Sequence, residues 1–186
     1  MSEISVTEVL CTEHRAILRM LDVTKELAHL LEVGVDVPAD MLDAVAEFMR
    51  VFGDEHLKKE EQHLFPALGK GGVTLDGVAV DTLQHDHDRA RTLLGKMSEA
   101  ATAYREKRPK ADRRWGRFAT EYAVVMRRHI DKEQQIFYPA AEKLLSADDK
   151  QSLRQSLERS SDEPVAAERT RHFSQMADSM AAQVLV

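Results

Sequence analysis

Apolar residues recur along most of this chain at mixed three- and four-residue steps, the spacing that lines one face of an α-helix. The first line is Val6, Leu10, Ile17, Leu21, Leu27 and Leu31, which predicts a helix over about Ser5 to Glu32. Gly34 to Pro38 then turns the chain, and Pro38 suits the first turn of a helix. A second helix is expected from Pro38 to Phe65, ending near Pro66, with Gly69, Gly71 and Gly72 making the next loop. A third fits about Leu75 to Lys107, stopping before Pro109, and a fourth about Lys110 to Leu145. Ser146 is a good N-cap for a short fifth helix, with Asp148 and Asp149 in its first turn. Glu163 to Val186 reads as a last amphipathic helix, and no segment alternates as a strand would. The pattern predicts an all-α protein: an up-down-up-down four-helix bundle over residues 1–145, with a helical C-terminal extension, 146–186, packed on the same domain.

Polar residues interrupt these apolar lines at a few places. His14 lies between Leu10 and Ile17, and His87 between Leu83 and Ala90. His56 continues the line Val45, Met49, Phe52, and His129 continues Phe118, Tyr122, Val125. Residues four apart share a helix face, so Glu60 joins His56 and Glu133 joins His129. Shifting the chain by 73 residues carries His14 onto His87, His56 onto His129, Glu60 onto Glu133 and Pro66 onto Pro139. An aromatic residue precedes each proline, Phe65 in one half and Tyr138 in the other. An internal two-fold repeat follows, the first helix matching the third and the second matching the fourth.

A bare histidine or glutamate in a bundle core costs several kcal/mol unless it is paired or metal-bound. Six such groups converging from four helices satisfy one another only around something cationic. Imidazole and carboxylate without thiolate suit iron, manganese or zinc at a partly open site. Two glutamates on facing helices can each bridge two ions while the four histidines cap the outer positions, and iron is the expected metal. His63 shares a helix face with Glu60 in a Glu-x-x-His step and could supply a fifth histidine, although its repeat partner is Ile136.

Composition narrows the field. A chain of 186 residues with 43% hydrophobic and 31% charged content suits one soluble domain. A net charge of −6 gives no electrostatic reason to expect nucleic acid, and the basic run from Arg105 to Arg117 straddles a predicted turn and reads as a solvated loop. No apolar run approaches the ~20 residues needed to span a membrane. The first ten residues lack the blocks of a signal peptide, and a single cysteine, Cys11, suits a reducing cytoplasm. His29, His85 and His172 are expected at the surface, and Cys11 as a small buried thiol. Tyr122 is read as a core tyrosine, with a place near the metals as the alternative. The extension either covers the bundle or forms a dimer surface through Phe173, Met176, Met180 and Leu185, leaving monomer and homodimer both open.

The segments "EHRAIL" at Glu13, "HLKKEEQHLFPAL" at His56, "DHDRARTLL" at Asp86 and "HIDKEQQIFYPAA" at His129 resemble the hemerythrin-like, or HHE cation-binding, domain, with the last two most like its bacterial branch. The resemblance covers about Ser5 to Leu145. It implies a non-haem di-iron centre, oxo- or hydroxo-bridged, with His14, His56, Glu60, His87, His129 and Glu133 as ligands. The positions four away from His87 are Leu83 and Arg91, so the third-helix histidine pair of an oxygen-carrying hemerythrin is missing and reversible oxygen carriage is not implied. What remains is a protein that meets a small oxidant: hydrogen peroxide, dioxygen or nitric oxide. Catalase- or peroxidase-like turnover is one expectation; an oxygen, nitric oxide or iron sensor or store without turnover is the other.

Overall fold

The computed structural model describes residues 5–70, 80–162 and 164–185, and among them six helices and no strand. They are α1 (Glu8–Glu32), α2 (39–70), α3 (Val80–Arg105), α4 (111–144), α5 (Ala147–Asp162) and α6 (Pro164–Val184). The expected loop glycines Gly71 and Gly72, the start of the third helix at Leu75, and Glu163 lie outside the described residues. Ser146 caps α5 as expected, its Oγ accepting from the Asp149 N–H at 3.1 Å, and α5 runs for 16 residues rather than being short.

The second helix does not end at Pro66; it continues to Lys70. The reason is a π turn just before the proline. Glu60–Leu64 adopts π-helical pairing, so the Phe65 N–H bonds to the Glu60 carbonyl five residues back. Pro66 has no N–H to donate, and its ring would crowd the carbonyl four residues earlier in a regular α-turn. The widened turn absorbs both problems. Glu133–Phe137 does the same ahead of Pro139, with the Tyr138 N–H on the Glu133 carbonyl. Both π segments begin on a glutamate, and the two glutamates are 73 residues apart. A third, Met49–Gly53, has no counterpart in α4.

Two apolar clusters divide the interior. One contains Leu10 from α1, Leu64 from α2, Leu83 from α3 and Phe137 from α4. The other contains Ile17, Leu57, Ala90 and Ile130 from the same four helices. The order in which a helix enters the two clusters reverses from each helix to the next. α4 packs along both α1 and α3, while α2 lies against α3 and only lightly against α1. Gly116 allows the close approach of α4 to α1, since a Cβ there would meet the Ala28 carbonyl oxygen at 3.4 Å.

α6 packs along α1. Its Phe173 meets Phe48 and Phe52 at ring separations of 5.6 and 5.9 Å, beside the unmatched π segment of α2. Phe173 and Met180 are buried in this chain's own core, whereas Leu185 is exposed. Leu153 and Leu157 of α5 close the other cluster. Truncating a buried phenylalanine typically costs about 3–5 kcal/mol. Phe173→Ala is therefore expected to lower the melting temperature by roughly 6–20 °C, at about 2–4 °C per kcal/mol for a chain of this size. A thermal melt showing no loss would mean that α6 is not integral to the core.

Candidate metal centre

On each of α1 to α4, the boundary between the apolar clusters is marked by a buried polar side chain. His14, Glu60, His87, His129 and Glu133 are 0% exposed and His56 is 1% exposed. Among the described residues, two groups of potential metal donors emerge: His14, His56, Glu60 and Glu133, and Glu60, His87, His129 and Glu133. Within each group the donor atoms lie within 4.8 Å of one another, and both groups share the same two glutamates. Each takes its two histidines from one half of the repeat and a glutamate from each half.

The closest approaches are short but poorly aligned. His56 Nε2 is 3.0 Å from Glu60 Oε1, His14 Nε2 is 3.2 Å from Glu133 Oε2, and His129 Nε2 is 3.3 Å from the same oxygen. His87 Nε2 stands 3.3 Å from Glu60 Oε2 and 3.1 Å from His129 Nε2, so two ring nitrogens face each other. Yet His56 Nε2, Glu60 Oε2 and both Glu133 oxygens have no hydrogen-bond partner. Buried acceptors left this way are costly and rare. Several histidine and glutamate atoms thus crowd a shared space without hydrogen-bonding one another, which is what residues arranged for cations do. The nitrogen and oxygen donors, with no thiolate, fit iron, manganese or zinc.

Three of the four outward ring nitrogens are hydrogen-bonded as well, and the fourth, His129 Nδ1, faces a carboxylate. His56 Nδ1 is 2.9 Å from Glu13, which also pairs with Lys59. His87 Nδ1 is 2.7 Å from Glu61, which also accepts from Arg91 at 2.8 Å. Asp86 lies 3.8 Å from His129 Nδ1 and pairs with Lys132, and the Gln134 amide is 3.2 Å from His14 Nδ1. The carboxylates on His56 and His87 accept from Nδ1 and so keep Nε2 of those two rings free for a metal, while Asp86 faces His129 Nδ1 from beyond hydrogen-bond distance. Sequence reasoning missed all of them, although the same 73-residue shift pairs Glu13 with Asp86, Lys59 with Lys132 and Glu61 with Gln134.

Without cations the cluster balances its own charge. Burial opposes a proton on His56, but Glu60 and Glu13 outweigh it and raise its pKa to about 10. His129 is likewise raised by Glu133 and Asp86 against the effect of burial. Burial would push the Glu60 carboxyl up, yet the surrounding histidines, His56 foremost, hold it well below its usual range. Burial lowers His14, with Glu133 opposing.

Asp86 shows how the outer partners contribute. Burial raises its carboxyl, but His129 and Lys132 prevail and bring it to about 2. A depressed carboxylate adds stability that is present above its unfolded pKa, near 3.8, and is lost as pH falls through about 2. The side chain is 23% exposed, so the effect is on the order of 1 kcal/mol after screening. Asp86→Asn should therefore cost about that much at neutral pH, with the deficit closing between about pH 4 and pH 2. It should also weaken metal binding roughly 10- to 100-fold, read by metal titration. Unchanged affinity would mean that Asp86 does not orient His129.

His63 is half-buried and lies outside both donor groups. The Glu-x-x-His reading assumed α-helical spacing, but the π segment begins at Glu60 and turns His63 off that face. Burial lowers the His63 pKa, helped by Arg159 and Lys59. Tyr122 is buried, and the tyrosine that reaches the cluster is Tyr138. Its hydroxyl donates to Glu60 Oε1 at 3.1 Å and lies 3.3 Å from His14 Nε2. Burial and the charges of Glu133 and Glu60 hold this phenol well above its ordinary pKa. Cys11 is half-buried, its thiol raised by burial, and His29, His85 and His172 are exposed.

Fold and site together define an all-helical protein with a buried histidine–glutamate cluster able to hold metal. The model of the hemerythrin HHE cation-binding domain matches residues 5–141, and the chain belongs to that family. No curated protein gives a significant match. No helix among the described residues is long and apolar enough to cross a membrane.

Proposed function

We propose that this protein holds two iron ions, ligated by His14, His56, Glu60, His87, His129 and Glu133, and that this centre reacts with a small oxidant. The observation that carries the reading is the pair of donor groups sharing Glu60 and Glu133, with four buried donor atoms left without hydrogen bonds. Residues 1–145 are read as an up-down-up-down bundle of two repeated halves, with 146–186 packed on the same domain. The reversing order of the two apolar clusters and the two matched π segments support that arrangement.

In this reading Glu60 and Glu133 would be shared by the two cations and neutralise them, and the four Nε2 atoms would be the remaining donors. Glu13, Glu61, Asp86 and Gln134 hold the rings in place. The apolar clusters on either side keep bulk water from the pair, which strengthens every charge interaction inside. When bound, an iron pair supplies electrons and an open coordination position for hydrogen peroxide, dioxygen or nitric oxide.

The test is peroxide consumption by iron-loaded protein. Many turnovers per chain with oxygen or water as product would establish a catalase- or peroxidase-like activity. Reversible, stoichiometric binding of dioxygen or nitric oxide without turnover would instead identify a sensor or store. Neither turnover nor binding would overturn the reaction with a small oxidant.

A further inference from the structure

The two donor groups share both glutamates, yet they are not chemically equivalent. The difference lies in the aromatic residue that ends each π turn. In the first half it is Phe65, whose ring lies 5.2 Å from the His87 ring and carries no polar atom. In the second half it is Tyr138, stacked on His14 at 5.6 Å with the ring planes 5° apart. Each of these aromatics lies five positions after its glutamate. A π turn closes over five residues, so the aromatic comes round towards the face of that glutamate, which an unbroken α-helix would not allow.

The Tyr138 oxygen is 3.1 Å from Glu60 Oε1 and 3.3 Å from His14 Nε2. His14 belongs to the group that also contains His56, and of the two Glu60 oxygens Oε1 is the one that faces His56 and His14. Donor atoms bound at right angles around one transition-metal ion, each at about 2.1 Å, stand about 3 Å apart. The phenol oxygen therefore sits at the spacing of a neighbouring ligand, and Tyr138 is buried with the rest of the cluster.

We propose that Tyr138 is itself a metal ligand, giving a phenolate oxygen to the position of His14 and His56 and to that position alone. On binding, its oxygen forms a bond to the metal and its proton leaves to solvent. The first position then has five protein donor residues and the second has four, so the His87–His129 position is the more open to a small molecule. The inference rests on the iron-pair reading above.

The experiment is visible absorption and resonance Raman spectroscopy of the iron(III)-loaded full chain, with metal content measured on the same samples. The wild type should show a phenolate-to-iron charge-transfer band with phenolate ring vibrations. Tyr138→Phe should lose both while keeping its iron, and Tyr122→Phe should keep them. Mössbauer spectra should show two distinguishable irons in the wild type and a smaller difference between them in Tyr138→Phe. Iron-loaded wild type without phenolate vibrations, or vibrations that survive Tyr138→Phe, would overturn the ligand assignment and leave the iron pair standing. Protein that takes up no iron would overturn both.

Discussion

Replacing Glu60 by glutamine is expected to empty both metal positions at once. Glu60 faces all four histidines, Oε1 towards His56 and His14 and Oε2 towards His87 and His129, whereas Glu133 faces one from each group, His14 and His129. A ligand to only one ion would leave the other in place, whereas loss of a shared bridge removes a negative charge and a donor from both. Removing an outer hydrogen-bond partner already weakens a metal roughly 10- to 100-fold, so loss of this carboxylate should exceed that range. Glu133→Gln should behave similarly, and His63→Ala should retain full metal content, because His63 stands outside both groups. Elemental analysis of the three variants decides it. One ion retained by Glu60→Gln would show that the glutamate does not bridge.

Stripping the metal with a chelator should destabilise the fold and make it sensitive to alkali. A ligand present at a thousand times its dissociation constant stabilises the folded state by about 4 kcal/mol. For a protein of this length that is a melting-temperature difference of roughly 8–16 °C. The metal-free protein also depends on protons in the cluster. His56, raised to about 10, contributes stability that is fully present below its ordinary value near 6.5 and is lost as pH rises through about 10. The stripped protein should therefore lose stability progressively over that window, while the loaded protein, with metal in place of the proton, should change far less. Loading at neutral pH should release protons. Equal melting temperatures with and without metal across this range would contradict the account.

Much of this was legible in the sequence, for identifiable reasons. The helices were visible because their apolar lines follow a single period. The six clustered residues were visible because each falls on such a line, where a polar side chain is anomalous, and because the 73-residue shift duplicates the anomaly. What escaped detection depends on the π turns. A helix assumed regular throughout puts His63 near the face of Glu60 and sends Tyr138 away from that of Glu133; the π pairing does the opposite. It also lets α2 continue through Pro66, where a regular helix would be expected to stop. Glu13, Glu61 and Asp86 are hard to see because a carboxylate beside a core-facing histidine or glutamate looks like any solvated charge until a partner helix brings an imidazole to it.

The most direct test is the metal content of protein purified without added metal, measured together with its near-ultraviolet spectrum. Two irons per chain with oxo-to-iron charge-transfer bands are expected. No metal, or a single zinc, would contradict the iron-pair reading and leave the matched histidines and glutamates as a polar network or a structural zinc site.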